Sequence, residues 1–274
     1  MGLFEELQSL MMRYRFAPNK KLAQNFIVSE EAVQRIVQPA DLKKTDKVIE
    51  IGAGTGFLTR EMQRKCMVFA FEIDARLCGL LQSELPKENL ELHCGDFLAA
   101  RLPKFNKVVS LPPYMHSSAI MYKLLGHEFD SGVIVLQKEF SDKLAALPGF
   151  MEYNALTVLT QYYFDVKIEG KIRPDCFFPK PQGESRIVVL ERRETKPRVH
   201  DKKAFGEFLK TVFRFQNKNL RNALAVGYPF IKHIFDGKKE EFLEKVRSLD
   251  LQDVKTDLIS VKEFAAVFNE LAKK

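Results

Sequence analysis

Short apolar runs alternate with amphipathic stretches between residues 45 and 136. The apolar runs are typical of buried strands, and the stretches between them carry apolar residues at helical spacing. The predicted elements are strand 47–51, helix 57–64, strand 67–71, helix 75–83, strand 90–93, strand 107–110, a helix near 118–125 and strand 132–136. This order predicts an α/β fold in which crossover helices connect the strands of a parallel sheet.

Further elements flank this region on both sides. Ser29 precedes an apolar stripe at helical spacing and predicts a capped helix that ends near Pro39. After an amphipathic segment at 153–162, strand-like stretches lie around 166–172 and 186–190. These two stretches predict an antiparallel hairpin added to the sheet.

The final third of the chain has the pattern of helices alone. Charged residues from Glu191 to Arg198 form a predicted linker, and Ser260 with Glu263 has the spacing of a capping box. The pattern therefore predicts two domains, an α/β domain at residues 1–190 and a small all-α domain at residues 191–274.

Composition narrows the class of protein. The chain has 274 residues, of which 46% are hydrophobic, and this is enough for a substantial core. It has no apolar run of transmembrane length, and its first fifteen residues lack the features of an export signal. Four cysteines without paired metal spacing predict reduced thiols, no metal site and a cytoplasmic protein: Cys66, Cys78, Cys94 and Cys176.

The positive charge is concentrated in the predicted helical domain. The formal net charge is +7, and residues 191–274 contribute 19 Lys and Arg against 13 Asp and Glu, a net charge of +6. Such a surplus suits a polyanion such as RNA, although a basic solvated surface explains it equally well.

Three glycines follow the first predicted strand of the sheet, at Gly52, Gly54 and Gly56. Glycines at such a strand end let a ligand lie directly against the backbone. The dinucleotide fingerprint would place its third glycine at position 57, which is Phe57, so the spacing favours S-adenosylmethionine over NAD. The alternative is a turn whose glycines serve packing alone.

Two carboxylates end the next two strands. Glu72 follows the apolar run 67–71, where a carboxylate can accept hydrogen bonds from both ribose hydroxyls, and Asp96 follows the strand after it. Taken singly, each residue is more often a solvated loop carboxylate, but their joint placement after successive strands predicts a cofactor site.

Two clusters combine proline with aromatic residues. The fourth strand ends in Leu111-Pro112-Pro113-Tyr114, where a stiff turn presents an aromatic ring, and a second cluster spans residues 176–181 with Phe177. A flipped base could stack between the two. A plain strand terminator is the alternative for the first cluster.

These segments resemble the small-subunit rRNA adenine N6,N6-dimethyltransferase family, and their sequences are more similar to archaeal members than to bacterial ones. The similarity runs in the family's order from about residue 20 to the C-terminus. It rests on residues 21–26, the glycine motif, residues 71–74, 95–96, 113–114, 117–118, 136–139 and 177–181, and Asn217 to Leu224.

The resemblance implies a Rossmann-like methyltransferase domain that uses S-adenosylmethionine to dimethylate two adjacent adenines, and a role in small-subunit assembly. The residues it implies for binding the cofactor are Gln24, Asn25, Gly52, Gly54, Glu72 and Asp96. Those it implies for the base are Tyr114 and Phe177, beside Leu111, Pro112 and Pro113.

One departure from the family concerns the chemistry itself. The usual Asn-Leu-Pro-Tyr motif is matched without a gap by Leu111-Pro112-Pro113-Tyr114, so leucine replaces the asparagine acceptor. A one-residue shift would instead put Ser110 there, which makes Ser110 a further candidate for the cofactor site. The Pro112 carbonyl could still accept one hydrogen bond, while the loss of one positioned hydrogen-bonding group can cost two to three orders of magnitude in rate.

Three functions follow as hypotheses. The first is dimethylation of small-subunit rRNA within the pre-ribosomal small subunit, by a monomer without membrane attachment. The second is an assembly factor of the same fold whose transfer is weakened or lost because of Leu111. The third, a methyltransferase acting on DNA, another RNA or a small molecule, is disfavoured because the helical domain also resembles the rRNA family.

Overall fold

The computed structural model describes residues 2–235 and 238–272. The chain divides into two compact units, and neither is continuous in sequence. The first unit comprises Met1–Ser141 and Val166–Arg192, and the second comprises Asp142–Asp165 and Arg193–Lys274. Residues 142–165 thus belong with the C-terminal helices, while the predicted functional division at 190/191 stays a prediction.

The first unit is built around a mixed sheet. Its strands are β1 (Phe26–Ile27), β2 (Lys47–Ile51), β3 (Met67–Glu72), β4 (Leu90–Cys94), β5 (Lys107–Ser110), β6 (Ser131–Gln137), β7 (Phe164–Ile172), β8 (Phe177–Phe178) and β9 (Ser185–Arg192). Its helices are α1 (Leu3–Arg13), α2 (Glu30–Val37), α3 (Phe57–Gln63), α4 (Ala75–Glu84) and α5 (Ser117–Leu125), and α6 (Lys138–Ala145) follows β6.

The strand order within the described residues is β4-β3-β2-β5-β6-β9-β7, a seven-stranded sheet. Strands β4, β3, β2, β5 and β6 are parallel to their neighbours, and β9 joins β6 antiparallel. The central strands read as apolar runs because both of their faces are buried. The predicted α/β fold is confirmed.

A second, two-stranded sheet has no signal in the sequence pattern. β1 pairs antiparallel with β8, with Phe26 opposite Phe178 and Ile27 opposite Phe177. Strands of two residues are too short to show the alternation by which strands are recognised. This pairing fixes the segment before α2 against the second cluster of proline and aromatic residues, at 176–181.

The prediction of four reduced thiols was wrong for two cysteines. The structure joins Cys78 of α4 and Cys94 of β4 in a disulfide, with their Cα atoms 5.9 Å apart. The helix and the strand bring together residues that lie 16 positions apart, and no local motif marks such a pair. Cys66 and Cys176 are free cysteines.

The second unit is helical among its described residues. It contains α7 (Ala155–Tyr163), α8 (Lys202–Phe213), α9 (Leu220–Ile231), α10 (Lys239–Ser248) and α11 (Val261–Leu271). Ser260 and Glu263 form the predicted capping box at the start of α11. Buried phenylalanines of α8 and α11 pack against one another in its core: Phe205, Phe208, Phe264 and Phe268.

Across residues 2–235 and 238–272, no helix combines the length and the apolar composition that a membrane span requires.

We expect Gly56→Ala to lower the free energy of unfolding by about 1–3 kcal/mol. Gly56 has φ of +82°, and a Cβ there would lie 2.8 Å from Leu81 Cδ2 and 3.0 Å from Leu85 Cδ1. Urea titration measures the change. Gly79→Ala in α4 is the matched control, because a Cβ at Gly79 meets nothing within 4 Å and alanine favours a helix. A Gly56→Ala variant as stable as the unmodified protein would contradict the packing described here.

Candidate functional site

A cavity lies at the carboxyl ends of β2, β3 and β5, where open α/β sheets bind their ligands. Four segments of the first unit line it: Leu22 to Ile27; Glu50, Gly52 to Thr55, Phe57 and Leu58; Glu72, Ile73 and Leu77; and Leu111 to Tyr114. The cavity therefore brings together nine of the twelve predicted site residues. Asp96, Ser110 and Phe177 are not among its lining residues.

The glycine loop forms a flat wall of the cavity. Gly52 has φ of +75° and Gly54 has φ of +59°, and both values are strained for any residue with a side chain. A Cβ at Gly52 would lie 3.4 Å from Pro113 Cδ, and a Cβ at Gly54 would lie 3.4 Å from Phe26 Cδ1. Both φ values favour glycine, and without a Cβ the backbone of this loop stays open to the cavity.

Glu72 is held at the end of β3 by the backbone around it. Its Oε2 accepts a hydrogen bond of 2.8 Å from Gly54 N, and its Oε1 accepts one of 2.8 Å from Asp74 N. The side chain is only 4% exposed, and this burial raises the pKa of the carboxyl despite the two donors. Each oxygen keeps a further lone pair, so the carboxyl can still accept from the hydroxyls of a ribose.

A second buried carboxyl lines the same cavity. Glu50 on β2 is 1% exposed, and Thr59 Oγ1 donates a 2.6 Å hydrogen bond to its Oε2. Burial, with the nearby Glu72 carboxyl adding in the same direction, raises the pKa of Glu50 to about 8. Glu50 was not singled out from the sequence, since a strand pattern does not show how deeply one carboxyl is buried.

The segment that carries Gln24 and Asn25 is fixed at the edge of the cavity. Gln24 Nε2 donates to Asp74 Oδ2 at 3.0 Å, and Asn25 Nδ2 donates to the Ala23 carbonyl at 3.1 Å. Hydrogen bonds from Arg76 lower the pKa of Asp74 to about 2, so Asp74 is an anionic acceptor at neutral pH. Asp74 thus ties this segment to the start of α4.

The aromatic-proline turn forms the opposite wall of the cavity. Leu111, Pro112, Pro113 and Tyr114 all line it. Tyr114 Oη lies 2.7 Å from Ser185 Oγ, and burial raises the pKa of Tyr114 to about 12. The phenol is therefore neutral at physiological pH.

The three remaining candidates lie outside the lining. Ser110 is fully buried, where its Oγ donates to the Ile51 carbonyl at 2.9 Å and joins β5 to β2. Asp96 is exposed, and its Oδ1 accepts from Leu98 N at 2.8 Å. Phe177 is 2% exposed within β8. The roles of all twelve residues in binding cofactor and base stay predictions.

The site offers hydrogen-bond acceptors and apolar walls. In the described part of the chain, no group of three or more His, Cys, Asp or Glu side chains is placed to hold a metal ion. The flat glycine wall and the buried acceptor at Glu72 fit a nucleoside ligand such as S-adenosylmethionine.

The sequence of the chain is similar to those of a known protein family and of named relatives. The family model described as ribosomal RNA adenine dimethylase matches residues 15–273. The chain is 36% identical to a probable ribosomal RNA small subunit methyltransferase A from Thermococcus gammatolerans, over 94% of this chain and 91% of that protein. It is 35% identical to the protein of the same description from Methanothermobacter thermautotrophicus, over 89% of this chain and 90% of that one.

Solved structures support the fold. A dimethyladenosine transferase from Plasmodium falciparum superposes with a TM-score of 0.75 at 24% identity, covering 88% of this chain and 95% of that one. The 23S rRNA methyltransferase ErmE superposes with a TM-score of 0.66 at 26% identity, covering 90% and 100%.

We expect Glu50→Gln to stabilise the ligand-free protein increasingly as pH rises from about 4.5 to 8. The neutral Glu50 carboxyl contributes its full stability below the ordinary pKa near 4.5, and this contribution is lost as pH rises through its folded pKa of about 8. Glutamine does not ionise, so its advantage should grow by at most about 1.4 kcal/mol per pH unit. Urea titrations at pH 5 and pH 8 measure it.

Glu88→Gln, at an exposed position, is the control and should show no such trend. A Glu50→Gln advantage that is the same at both pH values would contradict the burial of a neutral carboxyl in this cavity.

Proposed function

We propose, since the chain belongs to the ribosomal RNA adenine dimethylase family, that it dimethylates the N6 amines of adjacent adenines in small-subunit rRNA. It is an S-adenosylmethionine-dependent methyltransferase. The observation that carries the proposal is the cavity in which a glycine wall and the buried Glu72 face an aromatic-proline turn.

We assign the cofactor's contacts to the following groups of this chain. Gly52 and Gly54 let it lie flush against the backbone, and Glu72 accepts from its ribose hydroxyls. Gln24 and Asn25 close the edge of the site, and Asp96 accepts from its adenine amine. When bound, S-adenosylmethionine supplies an electrophilic methyl group on its sulfonium.

The target base occupies the other side of the cavity. An adenine amine is a poor nucleophile because its lone pair is delocalised into the ring, so acceptors must gather its hydrogens and direct the nitrogen at the methyl group. The Pro112 carbonyl is the acceptor proposed here. Tyr114 stacks on one face of the base, and its neutral phenol does not act as a base. Phe177 is 2% exposed within β8 and lies outside the cavity lining, so it is not assigned a contact with the base.

The helical unit is proposed to bind rRNA. Its C-terminal part carries most of the chain's positive charge, since residues 191–274 have a net charge of +6, which suits the phosphate backbone of RNA. We propose the pre-ribosomal small subunit as the partner, with the protein acting as a cytoplasmic monomer.

The test is transfer of labelled methyl groups to small ribosomal subunits that lack the modification, with the product nucleosides separated. The proposal predicts N6,N6-dimethyladenosine in the small-subunit rRNA. Labelled products confined to another nucleoside, or no transfer at all by a protein that binds the cofactor, would refute it.

We expect Leu111→Asn to raise the rate of methyl transfer. It restores an amide acceptor at a position that lines the cavity. Loss of one positioned hydrogen-bonding group, measured for oxyanion-hole donors, costs about 2.7–4 kcal/mol, so we expect a gain of up to two to three orders of magnitude in rate. Single-turnover kinetics measure the change. Leu111→Met is the control, because it keeps an apolar side chain of similar size.

An unchanged rate for Leu111→Asn would mean that the Pro112 carbonyl and stacking already suffice. The relatives are described as methyltransferases, so the comparisons give no support to an inactive assembly factor.

A further inference from the structure

Ser185 makes a contact with the aromatic-proline turn that none of the roles above uses. It is the first residue of β9, is fully buried and pairs with Gln137 of β6. Its Oγ lies 2.7 Å from Tyr114 Oη, across 71 residues of sequence. The phenol end of Tyr114 is thus tied to the sheet, while the residue lines the cavity.

The backbone end of Tyr114 is also fixed. Pro113 precedes it with φ of −62°, and Tyr114 begins a single 3₁₀ turn at Tyr114–His116. Ser117 Oγ donates a 2.8 Å hydrogen bond to the Tyr114 carbonyl. With both ends held, little rotational freedom remains for the ring between them.

The hydroxyl contact serves orientation rather than proton transfer. Burial raises the pKa of Tyr114 to about 12, although the Ser185 hydrogen bond acts in the opposite direction. A phenol that is neutral and already hydrogen-bonded to a buried serine is poorly suited to take a proton from an amine. Its ring face is what remains available to a base.

We propose that Ser185 is a positioning residue, whose hydrogen bond holds the Tyr114 ring at the angle at which the target adenine stacks. This inference rests on the proposed function. The hydrogen bond between Ser185 and Tyr114 matters more because residue 111 is leucine. Without an amide at that position, the orientation of the base depends more on the stacking ring. Preorganised side chains of this kind set the reacting atoms within attacking distance.

The test compares two variants that each remove one half of the hydrogen bond and leave the ring in place, Ser185→Ala and Tyr114→Phe. We expect kcat to fall about tenfold in each, within the loss that a misplacement of about 1 Å produces. The dissociation constant of S-adenosylmethionine should stay within about twofold, because the ring is not proposed to touch the cofactor. The double variant should be no slower than either single one, since both remove the same interaction.

Stacking itself gives a readout independent of activity. With 2-aminopurine at the target adenine of an rRNA fragment, the fluorescence quenched by stacking should be partly restored in both variants. Ser141→Ala is the matched control. Ser141 is equally buried, and its Oγ donates a 2.9 Å hydrogen bond to the Gln137 carbonyl, so it should change neither kcat nor fluorescence.

The outcomes separate the two proposals. If the unmodified protein transfers no methyl groups, the proposed function fails. If it transfers them and Ser185→Ala keeps its kcat and its quenching, the positioning role is overturned. Losses that multiply in the double variant would also overturn it. If circular dichroism shows that Ser185→Ala is not folded, kcat and quenching are measured on Tyr114→Phe instead. A Tyr114→Phe variant that keeps both would overturn the positioning role, and one that loses both would support it.

Discussion

The close approach of two backbone segments at the carboxyl ends of β2 and β5 is the constraint on which the site depends. At Gly52, a Cβ would lie 3.4 Å from Pro113 Cδ and 3.8 Å from the Leu111 carbonyl oxygen. A larger residue there would meet the turn that carries Tyr114, and the positive φ of Gly52 would add strain. A Cβ alone would be in ordinary contact with this turn, so the positive φ is what favours glycine here, and the glycine loop and the turn that carries Tyr114 lie next to each other.

Two buried carboxyls add an electrostatic cost to this arrangement. Desolvation raises the pKa of both Glu50 and Glu72. Hydrogen bonds from the backbone N–H groups of Gly54 and Asp74 offset part of the cost of burying the Glu72 carboxyl. For Glu50, the hydrogen bond from the Thr59 hydroxyl does the same. Groups perturbed in this way cluster at functional sites, where they are retained for the ligand rather than for stability.

The sheet was predictable because its strands are buried on both faces and its crossover helices are amphipathic, so each element has a local pattern. The β1–β8 pairing and the Cys78–Cys94 disulfide were not, since both depend on tertiary contacts that no local sequence pattern indicates. The grouping of residues 142–165 with the C-terminal helices likewise results from tertiary packing, which no local pattern indicates.

The candidate site divides in the same way. The glycines and Glu72 could be predicted because they lie at the ends of strands, and apolar runs in the sequence locate those strands. Ser110 was a candidate through its place in a motif, yet its hydroxyl is used to join β5 to β2. The contact between Ser185 and Tyr114 spans 71 residues, and no spacing in the sequence indicates it.

Calorimetric titration of S-adenosylmethionine into the unmodified protein and into Glu72→Gln tests the central claim most directly, namely that this cavity binds the cofactor through a buried carboxyl at the end of β3. The account predicts one site per chain in the unmodified protein and affinity at least tenfold weaker in the variant, since an amide with a single acceptor oxygen replaces a carboxyl that accepts from two hydroxyls, a loss of about 1.4 kcal/mol or more. Equal affinity in both proteins would contradict it.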